Sequence, residues 1–309
     1  MASANNVAAA SALNRYVAGE ADEGHRTDAV VAKISGLPRS RVAAAHRAGL
    51  VRVNDAAAKP SLPLRAGDIV EYDVTPREPL AVEAEDLPLD IVHEDDDLLV
   101  LNKPAGMVTH PAHGASDGTL VNALLAYFPS LPGERIRAGL IHRLDRDTSG
   151  LIAVAKTPEA LTTLGRAMNK RYIKREYVAL VRGVPRDAEG TIEGAIGRDP
   201  QNRMRFAIRA DGKPAVTHYK VRETLHNASE LELQLETGRT HQIRVHLAAI
   251  GHPVINDPLY GRSDHRFPLA GQALHAWKLE LKHPRTKERL RFELEPPPEY
   301  AATKELLRR

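Results

Sequence analysis

Two short stretches about a hundred residues apart constrain this chain more than anything else in it. They are His142-Arg143-Leu144-Asp145-Arg146-Asp147-Thr148-Ser149-Gly150 and Glu236-Thr237-Gly238-Arg239-Thr240-His241-Gln242-Ile243-Arg244-Val245-His246, and both set charged side chains against apolar runs. A charge removed from water is tolerated when it is paired, so a carboxylate of the first and an arginine of the second become each other's expected partners. Any fold for this chain has to bring the two stretches together. Asp145, between Arg143 and Arg146, then becomes a candidate nucleophile, because nearby cations keep a carboxylate ionised and a fixed partner directs it. The residues alone leave open whether Asp145 or Asp147 points inward, and a structural ion network is the competing reading.

With 309 residues the chain can bury a full core and carry a second small domain. It has no cysteine, which excludes a disulfide scaffold and thiolate metal sites and suits a cytoplasmic protein. No apolar run approaches membrane-spanning length. The net charge of +3 says little, but its distribution says more. Arg26, Lys33, Arg39, Arg41, Arg47, Arg52, Lys59 and Arg65 face only Asp28 and Asp55 between residues 25 and 65, whereas residues 75–98 are strongly acidic.

Residues 1–24 have few large apolar side chains and are expected to form a disordered tail. Two short helices should follow, the second starting at Pro38-Arg39-Ser40 and stopping at Gly49. A strand at Leu50–Asn54 and a turn at Ala66-Gly67-Asp68 into Ile69–Val74 then form a hairpin-like pair. Pro76, Pro79 and Pro88 mark residues 76–89 as an irregular acidic linker that holds this unit away from the main body, which begins at residue 90. There, strands are expected at Asp90–Glu94, Leu98–Lys103, Leu151–Ala155, Tyr177–Val181, Thr217–Val221, Leu231–Leu235 and Leu290–Leu294. Helices are expected around Leu120–Leu125 and Leu161–Met168. The spacing is that of an α+β body rather than βαβ repeats, and no glycine-rich phosphate loop follows a strand, so a nucleotide cofactor is not expected.

In the second charged stretch an extended backbone would put Arg239 and His241 on one face, whereas a helical turn would bring His241 close to Arg244; local pattern does not choose. His218, His241, His246, His252 and His275 lack a short ligand signature, so no metal is expected. Residues 166–186 carry Arg166, Lys170, Arg171, Lys174, Arg175, Arg182 and Arg186 against Glu176, and Arg198, Arg203, Arg205 and Arg209 follow, a density that points to a polyanion contact.

The two charged stretches closely resemble those of the RluA family of RNA pseudouridine synthases. Gly212-Lys213-Pro214-Ala215-Val216-Thr217-His218-Tyr219 and the run from Gly251 to Gly261 look most like its RluD-type, large-subunit ribosomal RNA branch. The resemblance implies a mixed, largely antiparallel-sheet catalytic domain over residues 90–309 and a small alpha-L RNA-binding domain over residues 25–75. Arg39, Arg41, Arg47 and Arg52 would supply the small domain's phosphate contacts, and Thr27 stands where the family usually has leucine. It also implies that Asp145 is the nucleophile, Arg244 its partner and Tyr177 the ring that stacks on the target base, with Asp147 tying down the loop. Arg143, Arg146, Arg239 and His241 would contact substrate, and Lys103-Pro104 and His110-Pro111-Ala112-His113-Gly114 would shape the pocket entrance. The implied activity is isomerisation of uridine to pseudouridine in 23S ribosomal RNA, in helix 69, by a monomer without cofactor. An RNA-binding assembly factor and a metal-dependent RNA hydrolase are the alternative readings.

Overall fold

The computed structural model describes residues 13–74, 82–112, 115–202 and 204–309. Residues 1–12 of the expected tail, the linker prolines Pro76 and Pro79, and His113, Gly114 and Arg203 lie outside the described residues. The chain divides into two compact units, one ending at Pro79 and the other starting at Leu80.

The first unit contains β1 (Asn14–Val17), α1 (Thr27–Ser35), α2 (Arg39–Arg47), β2 (Val51–Val53), β3 (Ala56–Ala57) and β4 (Ile69–Tyr72). Its sheet runs β1-β4-β2-β3, every pair antiparallel. Val30, Val31, Val42, Val51, Leu64 and Val70 close a small core between the helices and the sheet. The expectation of disorder up to residue 24 is corrected here. Asn14–Val17 pairs along the whole of β4, Ala18 is buried, and the Tyr16 hydroxyl donates to Asp22 at 2.6 Å. Local composition gave no sign of this, because the partner of Asn14 is Tyr72, far along the chain. Thr27 is fully buried, and its hydroxyl donates to the Leu62 carbonyl at 2.8 Å, a bond that leucine would not make.

The second unit begins within the expected linker. Val82 is buried against Val121, Leu125 and Ala138, and the Glu83 carbonyl accepts from Asn122 Nδ2 at 2.7 Å. From Val82 onward the acidic stretch is therefore part of this unit and not a spacer. The unit continues with β5 (Asp90–Glu94), β6 (Leu98–Lys103), α3 (Leu120–Tyr127), β7 (Ser149–Ala155), α4 (Pro158–Asn169), β8 (Lys174–Arg182), β9 (Glu189–Glu193), β10 (Ile196–Arg198) and β11 (Phe206–Ile208). It ends with β12 (Val216–Leu225), β13 (Ala228–Leu235), α5 (Gln242–Ala249), β14 (Leu274–Lys282), β15 (Arg289–Glu293) and α6 (Pro298–Arg308). Among the described residues, one nine-stranded sheet runs β5-β6-β7-β14-β8-β13-β12-β9 with β15 beside β14, and β10-β11 forms a separate ribbon. All its pairings are antiparallel except β7 with β14. This is the α+β class expected from the strand spacing, with the largely antiparallel sheet that the family resemblance implied.

Every residue of β7 is buried, as its unbroken apolar run requires of a central strand. Alternation along the strands divides the core. Leu99, Leu101, Ile152 and Val154 pack with Leu120 and Leu124 of α3, whereas Leu98, Val100, Leu151 and Ala153 pack with Ala160 and Leu164 of α4. Thr157 caps α4 by accepting from Ala160 N, and Pro158 follows at the first helical position, where its missing N–H costs nothing.

Ser149 and Gly150 already belong to β7, and Gly150 has a task of its own there. Its φ is +110°, and a Cβ there would lie 2.2 Å from the Ala276 carbonyl oxygen, so β7 and β14 can approach only through a glycine. Gly150→Ala should lower the free energy of unfolding by at least about 2 kcal/mol, from backbone strain added to displacement of β14. A native melting temperature for that variant would contradict the close approach.

Candidate active site

The residues just before β7, the amino-terminal part of β8, residues 235–241 and the start of α5 line a cleft of about 430 Å3 in the second unit. Asp145, Tyr177 and Arg244 all line it. Of the two aspartates that the sequence left undecided, Asp145 is the one facing the cleft. Asp147 is buried beneath Gly271, close enough that a Cβ on that glycine would clash with it, and is held by Arg146 at 2.9 and 3.1 Å.

The backbone around Asp145 is fixed from below. Lys103 is fully buried at the end of β6, and its ammonium donates to the carbonyls of Pro104, Met107 and Arg146 at 2.7, 2.8 and 2.9 Å. Burial pulls its pKa down to about 7, although the charges of Asp147 and Asp145 act in the opposite direction. Thr109 donates to the Leu144 carbonyl at 2.6 Å, and Gln272 donates to the Thr148 hydroxyl at 3.0 Å. Lys103 is thus a buried tie under the loop rather than a residue of the pocket entrance.

Arg244 Nη1 donates to Asp145 Oδ2 at 3.0 Å, the pairing that the family resemblance implied. Its principal partner is another residue. Arg244 Nε and Nη2 form a two-point contact with Asp257 at 2.7 and 2.9 Å, and the Asp257 side chain has no exposed surface. Asp257 Oδ1 also accepts from the backbone N–H groups of Leu259 and Tyr260. Burial disfavours both charges, but the hydrogen bonds and opposite charge outweigh it. Arg244's pKa is raised and Asp257's lowered from their ordinary values, so both stay ionised. Sequence reasoning missed Asp257. The available signal was that a buried guanidinium has five donors and needs more than one acceptor.

The second charged stretch turns helical at Gln242, with His241 in the left-handed region at φ +56°. Gln242 is the buried tie here. Its Oε1 accepts from Thr237 Oγ1 and Arg239 N, while its Nε2 donates to the Val216 carbonyl and Thr217 Oγ1. The Tyr260 hydroxyl accepts from Phe206 N at 2.7 Å and shares a hydrogen bond with His241 Nδ1 at 2.9 Å, which leaves His241 Nε2 as the ring nitrogen nearer Asp145. That nitrogen lies 4.0 Å from Asp145 Oδ2. Burial lowers the His241 pKa despite Asp145, so the ring is neutral.

Tyr177 is buried in β8, and burial raises its pKa against the opposing charge of Arg175, which keeps the phenol protonated. Tyr172 is 69% exposed and does not line the cleft. Arg143 and Arg239 are exposed on the cleft wall, and Arg239 Nε also donates to the Pro214 carbonyl at 3.1 Å. Arg146 does not line the cleft, because it is engaged with Asp147. Arg175, expected on a basic surface, is instead a buried part of the cleft wall. His142 supports β7, accepting from Ala153 N at 3.1 Å.

In the first unit Arg39, Arg47 and Arg52 are exposed and Arg41 is partly exposed. Arg39 pairs with Asp28 at 3.0 Å, and Arg26 pairs with the same carboxylate. Among the described residues the one His/carboxylate group spaced to hold a cation is Asp95, Asp97 and His283, none of which lines the cleft. Its carboxylates are already bonded to His93, Arg285 and Thr157. Among the described residues, no helix is long and apolar enough to cross a membrane.

The RNA pseudouridylate synthase family profile matches residues 97–249, the segment that carries Asp145, Tyr177 and Arg244. Ribosomal large subunit pseudouridine synthase D of Neisseria meningitidis is 46% identical over 286 residues, covering 87% of this chain and 75% of that protein. The protein of the same name from Vibrio parahaemolyticus is 42% identical over 301 residues, covering 93% and 92%. Human RNA Pseudouridylate Synthase Domain Containing 1 superposes with a TM-score of 0.56 at 31% identity, covering 72% of this chain and 87% of that one. The chain thus belongs to the RluA family of RNA pseudouridine synthases, on the side of its large-subunit ribosomal RNA members.

Proposed function

We propose that this chain converts uridines of bacterial 23S ribosomal RNA to pseudouridine, in the stem-loop of helix 69, and that it works in the cytoplasm during ribosome biogenesis as a monomer without a cofactor. The observation that carries the reading is the cleft in which an arginine clamped by Asp257 holds Asp145 beside the ring of Tyr177. The names of the curated relatives supply the choice of ribosomal RNA. The cleft volume of about 430 Å3 suits one nucleotide taken out of its stack.

The target uridine leaves the RNA stack and packs on Tyr177, an aromatic platform with a polar tip. Asp145 then breaks the N1 glycosidic bond, either by attack on C1′ or by taking a sugar proton to give a glycal. Both routes need an ionised carboxylate that is aimed. Arg244 supplies the aim through Oδ2, and among the described residues Oδ1 accepts no hydrogen bond, which leaves it for the substrate. The detached uracil turns in place, rejoins through C5 and loses the C5 proton. Closure over the base keeps water away from the intermediate. Arg143 and Arg239 at the cleft, and Arg39, Arg41, Arg47 and Arg52 in the first unit, bind phosphates. His241 contacts the nucleotide beside Asp145.

The reading is tested by chemical mapping of pseudouridine on 23S transcript and on unmodified large-subunit particles. New modification in helix 69, unchanged by a chelator, is the expected result, and RNA cleavage or modification confined to other helices would contradict it. Asp145→Asn keeps the size of the side chain and removes its charge, and should slow turnover by about 1,000-fold or more while RNA affinity stays near native. Normal turnover would sink the assignment.

Arg244→Ala should cost about 3 kcal/mol of stability or more, because Asp257 would remain in the interior without its cation. Thermal unfolding at the native temperature would argue against the clamp. Arg47→Ala combined with Arg52→Ala should reduce the slope of log affinity against log salt by about 2 and leave the rate at saturating enzyme unchanged. An unchanged slope would remove both residues from the RNA interface.

A further inference from the structure

Arg175 is 8% exposed, yet its Nε has no hydrogen-bond partner, and among the described residues no carboxylate lies within ion-pair distance of its guanidinium. An unpaired buried cation is costly to a folded protein, and its persistence in a cleft points to a partner that arrives with the substrate. Arg175 sits two residues before Tyr177 on β8, so the two side chains share one face of the strand, and both line the cleft. Gly238 leaves room for the guanidinium, since a Cβ there would lie 2.8 Å from Nη1. A second unused donor is close by. His142 Nε2 accepts from Ala153 N, so the imidazole proton is on Nδ1, and Nδ1 is buried without a protein partner. Burial and the charge of Arg175 hold the ring neutral, with its pKa lowered to about 3.

We propose that Arg175, with His142 Nδ1–H beside it, binds the carbonyl oxygens of the target uracil and stabilises the negative charge the base acquires when it leaves C1′. The proposal rests on the reading of the cleft as a uridine isomerisation site. When the C1′–N1 bond breaks, its electron pair stays with the base and spreads over N1, O2 and O4. A planar guanidinium fork and an N–H donor, fixed in place before reaction and shielded from water, interact more strongly with that anion than with neutral uridine, and so lower the barrier. When C5 bonds to C1′ it supplies the electron pair for the new bond, the C5 proton leaves and N1 takes up a proton. The chemistry is then balanced with no further reactant. A phosphate is the less fitting partner for Arg175, because the phosphate-facing arginines Arg143 and Arg239 are exposed on the cleft wall while Arg175 is buried next to the ring platform.

The test is Arg175→Met, compared with the native chain and Asp145→Asn in single-turnover assays on 23S transcript or large-subunit particles, whichever the native chain modifies. The rate at saturating enzyme should fall by about 100-fold. RNA affinity should stay within about 3-fold, and the melting temperature should be native or higher, because an unpaired buried charge has been removed. Arg175→Lys keeps the charge and loses the fork, and should be at least about 10-fold slow with a native melting temperature. That variant carries the test if Arg175→Met does not fold. A native rate with weaker binding and a salt slope reduced by about 1 would make Arg175 a phosphate contact and overturn the proposal. A lowered melting temperature in both variants would make it a structural residue and also overturn it. Inactive Asp145→Asn beside fully active Arg175→Met would remove this inference alone, whereas active Asp145→Asn would remove the reading of the cleft.

Discussion

Arg244 is shared between two aspartates, and the rest of the second unit is arranged around that fact. Asp257 takes two of its nitrogens in a fully buried contact, and Asp145 takes a third at the cleft wall. A guanidinium held by Asp145 alone could turn with it. Anchored by Asp257, which is itself held by two backbone N–H groups, Arg244 becomes a fixed point against which the carboxylate is aimed. The sheet serves this by placing Asp145 just before the most buried strand and Arg244 in the first turn of α5.

Buried ties make the same point twice over. Lys103 holds three carbonyls under the Asp145 loop, and Gln242 holds the turn ahead of Arg244 through four hydrogen bonds. Both place polar groups in the interior, where they stabilise only while every partner is present. Such ties give the site its rigidity. Arg175 departs from the pattern, since no carboxylate among the described residues pairs with it.

Much of this was legible in the sequence. The alternating and unbroken apolar runs located β5, β6, β7, β8, β12, β13, β15, α3 and α4 of the second unit, because those patterns are set by which face meets the core, whereas β9, β10, β11, β14 and α6 were not expected and α5 was left open. The need to pair buried charges pointed to a contact between the two charged stretches, and the family resemblance singled out Asp145 and Arg244. Four things were hidden, each for a physical reason. Asn14–Val17 is a strand only because β4 lies beside it, so no local pattern marked it. Asp257 carries no charge pattern of its own and is recognisable only once Arg244's donors are counted. Arg175 lies in a run of basic residues that reads as a polyanion-binding surface, and β8 turns that one side chain inward. Residues 82–89 read as linker by composition, whereas Val82 alone supplies the apolar contact that docks their beginning.

If Arg244 and Asp257 act on the reaction only by directing Asp145, their effects must not add. The most direct measurement is a double-mutant cycle on the single-turnover rate, comparing Arg244→Lys, Asp257→Asn and the combined variant at a temperature where all three are folded. The shared clamp predicts that the combined variant is no more than about 3-fold slower than the slower single variant. Losses that multiply in full would mean that the two residues act independently, and would contradict the account of how Asp145 is held.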